Sequence, residues 1–450
     1  MVWKKSELVH KAGGRMKNME SLRTQCALQG ALSAANAIGG VIPVVHSTAG
    51  CAYQNYLAGG LANGGQGAGL AGGLAVPSTN IVEKHVVFGG SARLREQLKN
   101  AVKVFEGKLF LVLSGCTPNL VGDDSKAMVE EIETQGYPAA YVQASGFHGS
   151  AYTGYELAVR SLVDFASKKT ASPLTTVKGL INIFGIVPGQ DTFWQGELLS
   201  LSREFSAAGL ILNPLFGFNQ TVENWKNIPH ASLNLSLSTW GSGIVEYLKE
   251  KFGTPALKRS FVPVGAEDTK QLLLDIAGKL NFDEKQINNH AEKKEQEADY
   301  FISQFAEAYF NFNFQTDFSI AGPLSQAVGI SRFLAYNLGF TPKTIIITDA
   351  PQLKDEPIGD ILPHIDTKVN VFFTEDGNEI SGLLKKGNPG LILGSTIDRI
   401  TAEEKGAAHL SISLPVSDRI VLNRGYAGYS GALNLIEDIG TVLLKRRTQK

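Results

Sequence analysis

Short apolar runs alternate with amphipathic segments along the whole of this 450-residue chain, and no other feature restricts its fold as much. Strand-length runs separated by helix-length segments are the pattern of βαβ units, in which parallel strands are joined by crossover helices. Residues 41–45 and 109–113 read as buried strands, 126–135 as a helix, 139–143 as a strand and 154–168 as the closing helix of a first unit. The polar stretch Lys169-Thr170-Ala171-Ser172-Pro173 reads as a linker. A second unit places strands at 179–186 and 210–212 around a helix at 194–207. It ends in a long helix at 283–312, whose charged run from Glu292 to Glu297 reads as a solvated face. A third unit has a strand at 318–322, a helix at 324–338, strands at 344–348, 368–373 and 391–394, a helix at 380–386 and a terminal helix at 431–445. The expected fold is α/β, with three Rossmann-like doubly wound domains, mostly parallel, over 1–170, 175–315 and 316–450. Such sheets bind ligands at the carboxyl ends of their strands.

Composition supports a large buried core. Apolar residues make up 43% and charged residues 19%. The 42 basic and 43 acidic side chains nearly cancel, so no basic field supports nucleic-acid binding. Glycine, at 48 residues, exceeds the usual share of about 7% without a collagen repeat, which fits many tight turns. No run reaches the roughly 18 apolar residues of a membrane helix. The basic stretch around Lys4, Lys5, Lys11 and Arg15 lacks a signal-peptide core. A soluble, cytoplasmic protein with free thiols and no membrane partner is expected.

The 3 cysteines all fall in the first unit, which excludes a disulfide-stapled scaffold. Cys51 and Cys116 each follow a predicted strand and a small-residue turn, and Cys26 opens a predicted helix at 27–38. Loops at one edge of a parallel sheet converge, so these distant thiols are expected to meet. Soft thiolates in a reducing compartment suit iron–sulfur clusters or zinc. The alternative is three buried, inert cysteines. No Cys-x-x-Cys pair occurs, and three thiolates fall short of the four a cubane cluster takes, so further ligands would come from another side chain or another subunit.

Other candidates carry less. Asp123-Asp124 fits a helix N-cap better than a metal site. His46, near Cys51 in sequence, is a candidate hydrogen-bond donor to it or a structural histidine. Residues 322–326 form an ordinary strand-to-helix turn without a phosphate-binding pattern. No Walker A sequence, His-Glu-x-x-His or Gly-x-Ser-x-Gly occurs, so any ATP hydrolysis belongs to a partner.

Four segments stand out in order: Cys26-Ala27-Leu28-Gln29-Gly30-Ala31, His46-Ser47-Thr48-Ala49-Gly50-Cys51, Val87-Phe88-Gly89-Gly90 and Cys116-Thr117-Pro118-Asn119-Leu120-Val121-Gly122-Asp123-Asp124. Together they resemble the corresponding segments of nitrogenase component 1, and in particular its beta-type chains. Gly149-Ser150-Ala151-Tyr152-Thr153-Gly154-Tyr155, Pro415-Val416-Ser417-Asp418-Arg419 and Gly428-Tyr429-Ser430-Gly431-Ala432 add to the beta-type likeness. The resemblance implies an oxidoreductase subunit in which Cys26, Cys51 and Cys116 hold an iron–sulfur cluster shared with the partner. That cluster is an 8Fe-7S P-cluster type or a 4Fe-4S cluster, with Ser150 as an oxidation-linked ligand. It further implies an alpha-type component 1 partner in a heterotetramer, and an ATP-hydrolysing iron protein that docks near Phe88. Electrons would pass through the shared cluster to an active-site cluster in the alpha chain, most simply for dinitrogen reduction, because no cysteine remains here to anchor that cofactor. The alternatives are a cofactor-assembly scaffold subunit, or a nitrogenase-like reductase of carbon–sulfur bonds or tetrapyrroles. Two departures leave the substrate open. Nitrogenase beta chains usually read His-Gly-Ser-Gln-Gly-Cys in the second segment, and the glycine-rich run from Ala58 to Gly73 is longer here. Such a run must be held by backbone contacts or be mobile.

Overall fold

The computed structural model describes residues 23–62, 64–66, 76–168, 174–349 and 369–448. The basic N-terminal stretch, the expected linker at 169–173 and half of the glycine-rich run lie outside the described residues. Among the described residues three sheets form, and every ladder in them is parallel. The first sheet contains β1 (Val41–His46), β2 (Leu109–Ser114) and β3 (Ala139–Gln143), in that order. The second contains β4 (Val177–Phe184), β5 (Ile211–Asn213), β6 (Ala231–Ser236) and β7 (Ala256–Lys258), ordered β5-β4-β6-β7. The third contains β8 (Asp317–Gly322), β9 (Thr341–Ile347), β10 (Asn370–Phe373), β11 (Leu391–Gly394) and β12 (Ala408–Ser411), ordered β10-β9-β8-β11-β12. Strand order reverses beside β4 and beside β8, as doubly wound folds require.

The apolar runs are continuous because both faces of each sheet are covered. In β2, Leu109, Leu111 and Leu113 enter one core while Phe110 and Val112 enter another. In β11, Leu391 and Leu393 face one core and Ile392 the opposite one. The larger core reaches from the first sheet into the second, joining Leu111 to Ile181 and Leu235. Burying each such leucine contributes about 2 kcal/mol.

The helices of the first sheet are α1 (Ala27–Asn36), α2 (Ala49–Ala62), α3 (Glu83–Phe88), α4 (Ser91–Val104), α5 (Cys116–Val121), α6 (Ser125–Thr134) and α7 (Ala151–Ser167). Two of them correct the sequence reading. The small-residue turns expected around Cys51 and Cys116 are helix starts: Cys51 lies in the first turn of α2 and Cys116 is the first residue of α5. Helix α2 also runs into the glycine-rich segment, where the sequence predicted none. Beyond it, Gly65 N–H donates to Arg419 O at 2.6 Å, and Gln66 pairs with Val421 through both its amide nitrogen and its amide oxygen. Backbone contacts therefore hold this part of the run, one of its two expected outcomes. Strand β4 starts at Val177, its ladder to β6 shifts register between Val177 and Ile181 around Gly179 at a left-handed φ of 78°, and it ends at Phe184 before Gly185 at φ 93°. The long helix Glu284–Asn311 is capped by Asp283, which accepts from Lys285 N–H at 2.9 Å. No helix among the described residues is long and apolar enough to cross a membrane.

Candidate functional site

The register brings three strand ends to one line: His46 pairs with Ser114, and Ser114 with Gln143. The segments that leave this line carry Cys51, Cys116 and Ser150. Cys26 arrives from the other direction, as the N-cap of α1, and forms an antiparallel bridge with Ser150. Ala27 N–H donates to Gly149 O at 3.0 Å, and Ala151 N–H donates to Gln25 O at 2.6 Å. Helices α1 and α7 can start side by side only because Gly30 and Gly154 have no side chains. A Cβ on Gly30 would lie 1.8 Å from Ala151 O, and one on Gly154 would lie 1.8 Å from Ala27 O.

Polar groups of the chain already serve two of the sulfurs. Gly146 N–H donates to Cys116 Sγ at 3.2 Å. A Cβ at Gly146 would stand 3.3 Å from Cys116 Sγ and 3.5 Å from Cys26 Cβ, so this glycine sits between those two cysteines. Ser47 Oγ donates to Cys51 Sγ at 3.2 Å. Gln29 of α1 donates to Cys51 O at 2.7 Å, tying α2 to α1. All three cysteines are free thiols and partly exposed. Among the described residues no group of three or more His, Cys, Asp or Glu side chains forms a site for a single metal ion. The donor set fits an iron–sulfur cluster: soft sulfur, N–H and O–H donors aimed at it, and for Cys26 and Cys51 the positive end of a helix. Ser150 is the N-cap of α7 but its side chain makes no capping bond.

His46 does not bond to Cys51. It is fully buried, with Nδ1 3.0 Å from Thr79 Oγ1 and Nε2 3.2 Å from Asp123 Oδ2. Burial lowers its pKa, Asp123 works against that, and His85 adds to the lowering. A neutral ring that donates from Nε2 to Asp123 leaves Nδ1 facing the Thr79 hydroxyl, which also bonds Ser47 O at 3.2 Å. The Gly-Asp-Asp motif divides its work. Gly122, left-handed at φ 75°, ends α5. Asp123 takes up His46. Asp124 caps α6, accepting from Ala127 N–H at 3.0 Å.

A family profile for nitrogenase component 1 type oxidoreductases matches residues 26–444. The chain belongs to that family. Component 1 proteins bind iron–sulfur clusters and pair alpha with beta chains. This component 1 chain is 24% identical to the nitrogenase molybdenum-iron protein beta chain of Methanococcus maripaludis, over 94% of this chain and 93% of that one. It is 26% identical to the nitrogenase iron-molybdenum cofactor biosynthesis protein NifE of Clostridium pasteurianum, over 92% and 86%. The solved structure "Nitrogenase Cp1 at pH 6.5" has the same fold, with a TM-score of 0.80 at 18% identity over 98% of this chain and 96% of that one.

On the outer side of this component 1 site, α3 presents Phe88, 86% exposed, beside Val87, 73% exposed. Phe88 borders an open cleft of about 610 Å³ also lined by Asn80, Lys84, His85, Gly89 and Arg93. Sequence reasoning missed Gly146, Ser47, Gln29 and Thr79. Ser47 stood inside a quoted motif, four residues before Cys51. Gly146 had no local signal at all.

Proposed function

We propose that this chain is the beta-type, electron-relaying subunit of a nitrogenase or close nitrogenase-like reductase. Cys26, Cys51 and Cys116 hold half of a cluster of the 8Fe-7S or 4Fe-4S kind, and an alpha-type partner completes it. The observation that carries the reading is the grouping around Gly146. There Cys116 accepts an N–H bond, Cys26 lies on the other side, and Ser150 is bridged to Cys26 with its hydroxyl free of the helix cap. When bound, such a cluster accepts and passes on electrons. The N–H of Gly146 and the hydroxyl of Ser47 offset thiolate charge and so adjust the cluster's potential. The exposed Phe88 face is where an ATP-hydrolysing iron protein docks, which accords with the absence of a nucleotide-binding motif in this chain.

A second reading is a scaffold for cofactor assembly. It is favoured by the NifE relative, whose identity to this chain matches that of the beta chains. The test is anaerobic purification through a tag on this chain, followed by metal analysis and turnover assays with the iron protein. Iron together with iron-protein-dependent substrate reduction supports the relay. Iron without turnover supports the scaffold. Iron-free protein rejects both.

A further inference from the structure

The buried His46 joins three parts of the molecule that the relay reading treats separately, and the inference rests on that reading. Toward the cluster, His46 O accepts from Gly115 N–H at 2.9 Å, one residue before Cys116. The next residue after His46 is Ser47, whose hydroxyl bonds Cys51 Sγ. Toward the cleft there are two connections. Asp123, the partner of Nε2, accepts from Gly90 N–H at 2.6 Å through Oδ1. Gly90 follows Phe88 by way of Gly89, which is left-handed at φ 85°. Thr79, the partner of Nδ1, accepts through its carbonyl from Arg93 Nε–H at 3.1 Å, and Arg93 lines the cleft. The junction has no slack. A Cβ on Gly90 would stand 2.5 Å from Asp123 Oδ2 and 3.2 Å from His46 Cε1.

We propose that His46 is a positioning residue that couples occupancy of the Phe88 face to the Cys51 and Cys116 segments. A partner that presses on α3 or engages Arg93 moves Gly90 or Thr79. Both are hydrogen-bonded into the clasp on the imidazole, directly or through Asp123, and the backbone on either side of that ring leads to the two cysteines. Packed polar networks of this kind pass on displacements because their members cannot relax independently.

The test uses the iron-loaded complex with its iron protein. His46→Leu fills the space but removes both ring contacts. His46→Gln restores an amide donor with the reach for Asp123, and His46→Asn restores only the shorter reach to Thr79. In His46→Leu, iron-protein-driven reduction is expected to fall about tenfold, the size of a typical coupling energy. Its iron content and its cluster's reduction by a chemical donor should stay within about twofold. His46→Gln should recover most of the loss, and His46→Asn less. If His46→Leu does not fold, the ordering of the Gln and Asn variants decides. Unchanged iron-protein-driven rates in an iron-loaded variant overturn the coupling alone. Parallel loss of iron and both rates in every variant also overturns it, marking His46 as structural only. Parent protein that holds no iron overturns the relay reading, and this inference with it.

Discussion

Gly30 and Gly154 are seated on each other's helices, each where a methyl group would meet a backbone carbonyl oxygen, Ala151 O for one and Ala27 O for the other. The contact is reciprocal and sets the spacing of α1 and α7. The N-caps of those helices are Cys26 and Ser150, so this spacing also fixes how close the two come. Overpacking at such a crossing costs about 1–3 kcal/mol or forces the helices apart. Gly154→Ala is therefore expected to lower the melting temperature and the retained iron together. Gly278, exposed on its helix with nothing near its missing Cβ, is the control: Gly278→Ala should leave stability the same or raise it by about 0.5–1 kcal/mol. Unchanged stability and iron in Gly154→Ala would mean that the crossing is looser than its geometry.

On the proposed relay reading the cysteines are cluster ligands, and the groups that bond their sulfurs only adjust them. Cys116→Ala should lose most of the cluster iron, because no other thiol lies in its segment. Ser47→Ala removes one O–H donor to Cys51 Sγ and leaves the ligand in place. Its iron content should match the parent protein, while the midpoint potential measured by redox titration shifts downward, since less thiolate charge is offset. A Ser47→Ala potential identical to the parent's would show that this hydroxyl does not reach the bound cluster's sulfur.

Phe88 is too exposed to matter for the core. Phe88→Asp should leave thermal stability within about 0.5 kcal/mol, as surface changes do. Iron-protein-driven reduction is expected to fall at least about tenfold, the loss typical of a central aromatic contact. Reduction by a chemical donor is unaffected. Equal loss in both assays would refute docking at this face.

Burial pushes the Asp191 carboxyl up to about 7, with the charge of Asp349 adding to it, and the Glu197 carboxyl up to about 8, with Asp191 adding. The folded state thus holds protons that the unfolded chain releases near its ordinary carboxylate range. The stability these two groups contribute is fully present below that range, is lost as pH rises through the folded values, and changes little above about 8. Asp191→Asn keeps an acceptor for Val187 N–H and removes the charge. Thermal unfolding of this variant should show a shallower decline between pH 5 and pH 8 than the parent, on the order of a few kcal/mol less. An equally steep decline would assign the proton uptake elsewhere.

The strands were legible because both faces of each sheet are buried, which leaves continuous apolar runs such as 109–113 bounded by turn residues. Helix ends were less legible. The Cys51 segment is rich in glycine and alanine, and its helix draws on tertiary support from Gln29 that no local pattern shows. His46 shows the same limit. Its neighbour in sequence is Cys51, but its partners in space are Thr79 and Asp123, brought to it by the crossover connections of a parallel sheet.

By itself the sequence determined the α/β class, the placement of Cys51 and Cys116 just beyond strand ends, and the likeness to component 1, because these follow from local periodicity and short ordered motifs. Only the tertiary structure decided which groups face the sulfurs and what links them to the Phe88 face. Those contacts join residues far apart in the chain, and they depend on strand register and on how closely two helices cross. Gly146 reaches Cys116 because β2 and β3 are in register, and Cys26 reaches Ser150 because two glycines let α1 and α7 touch.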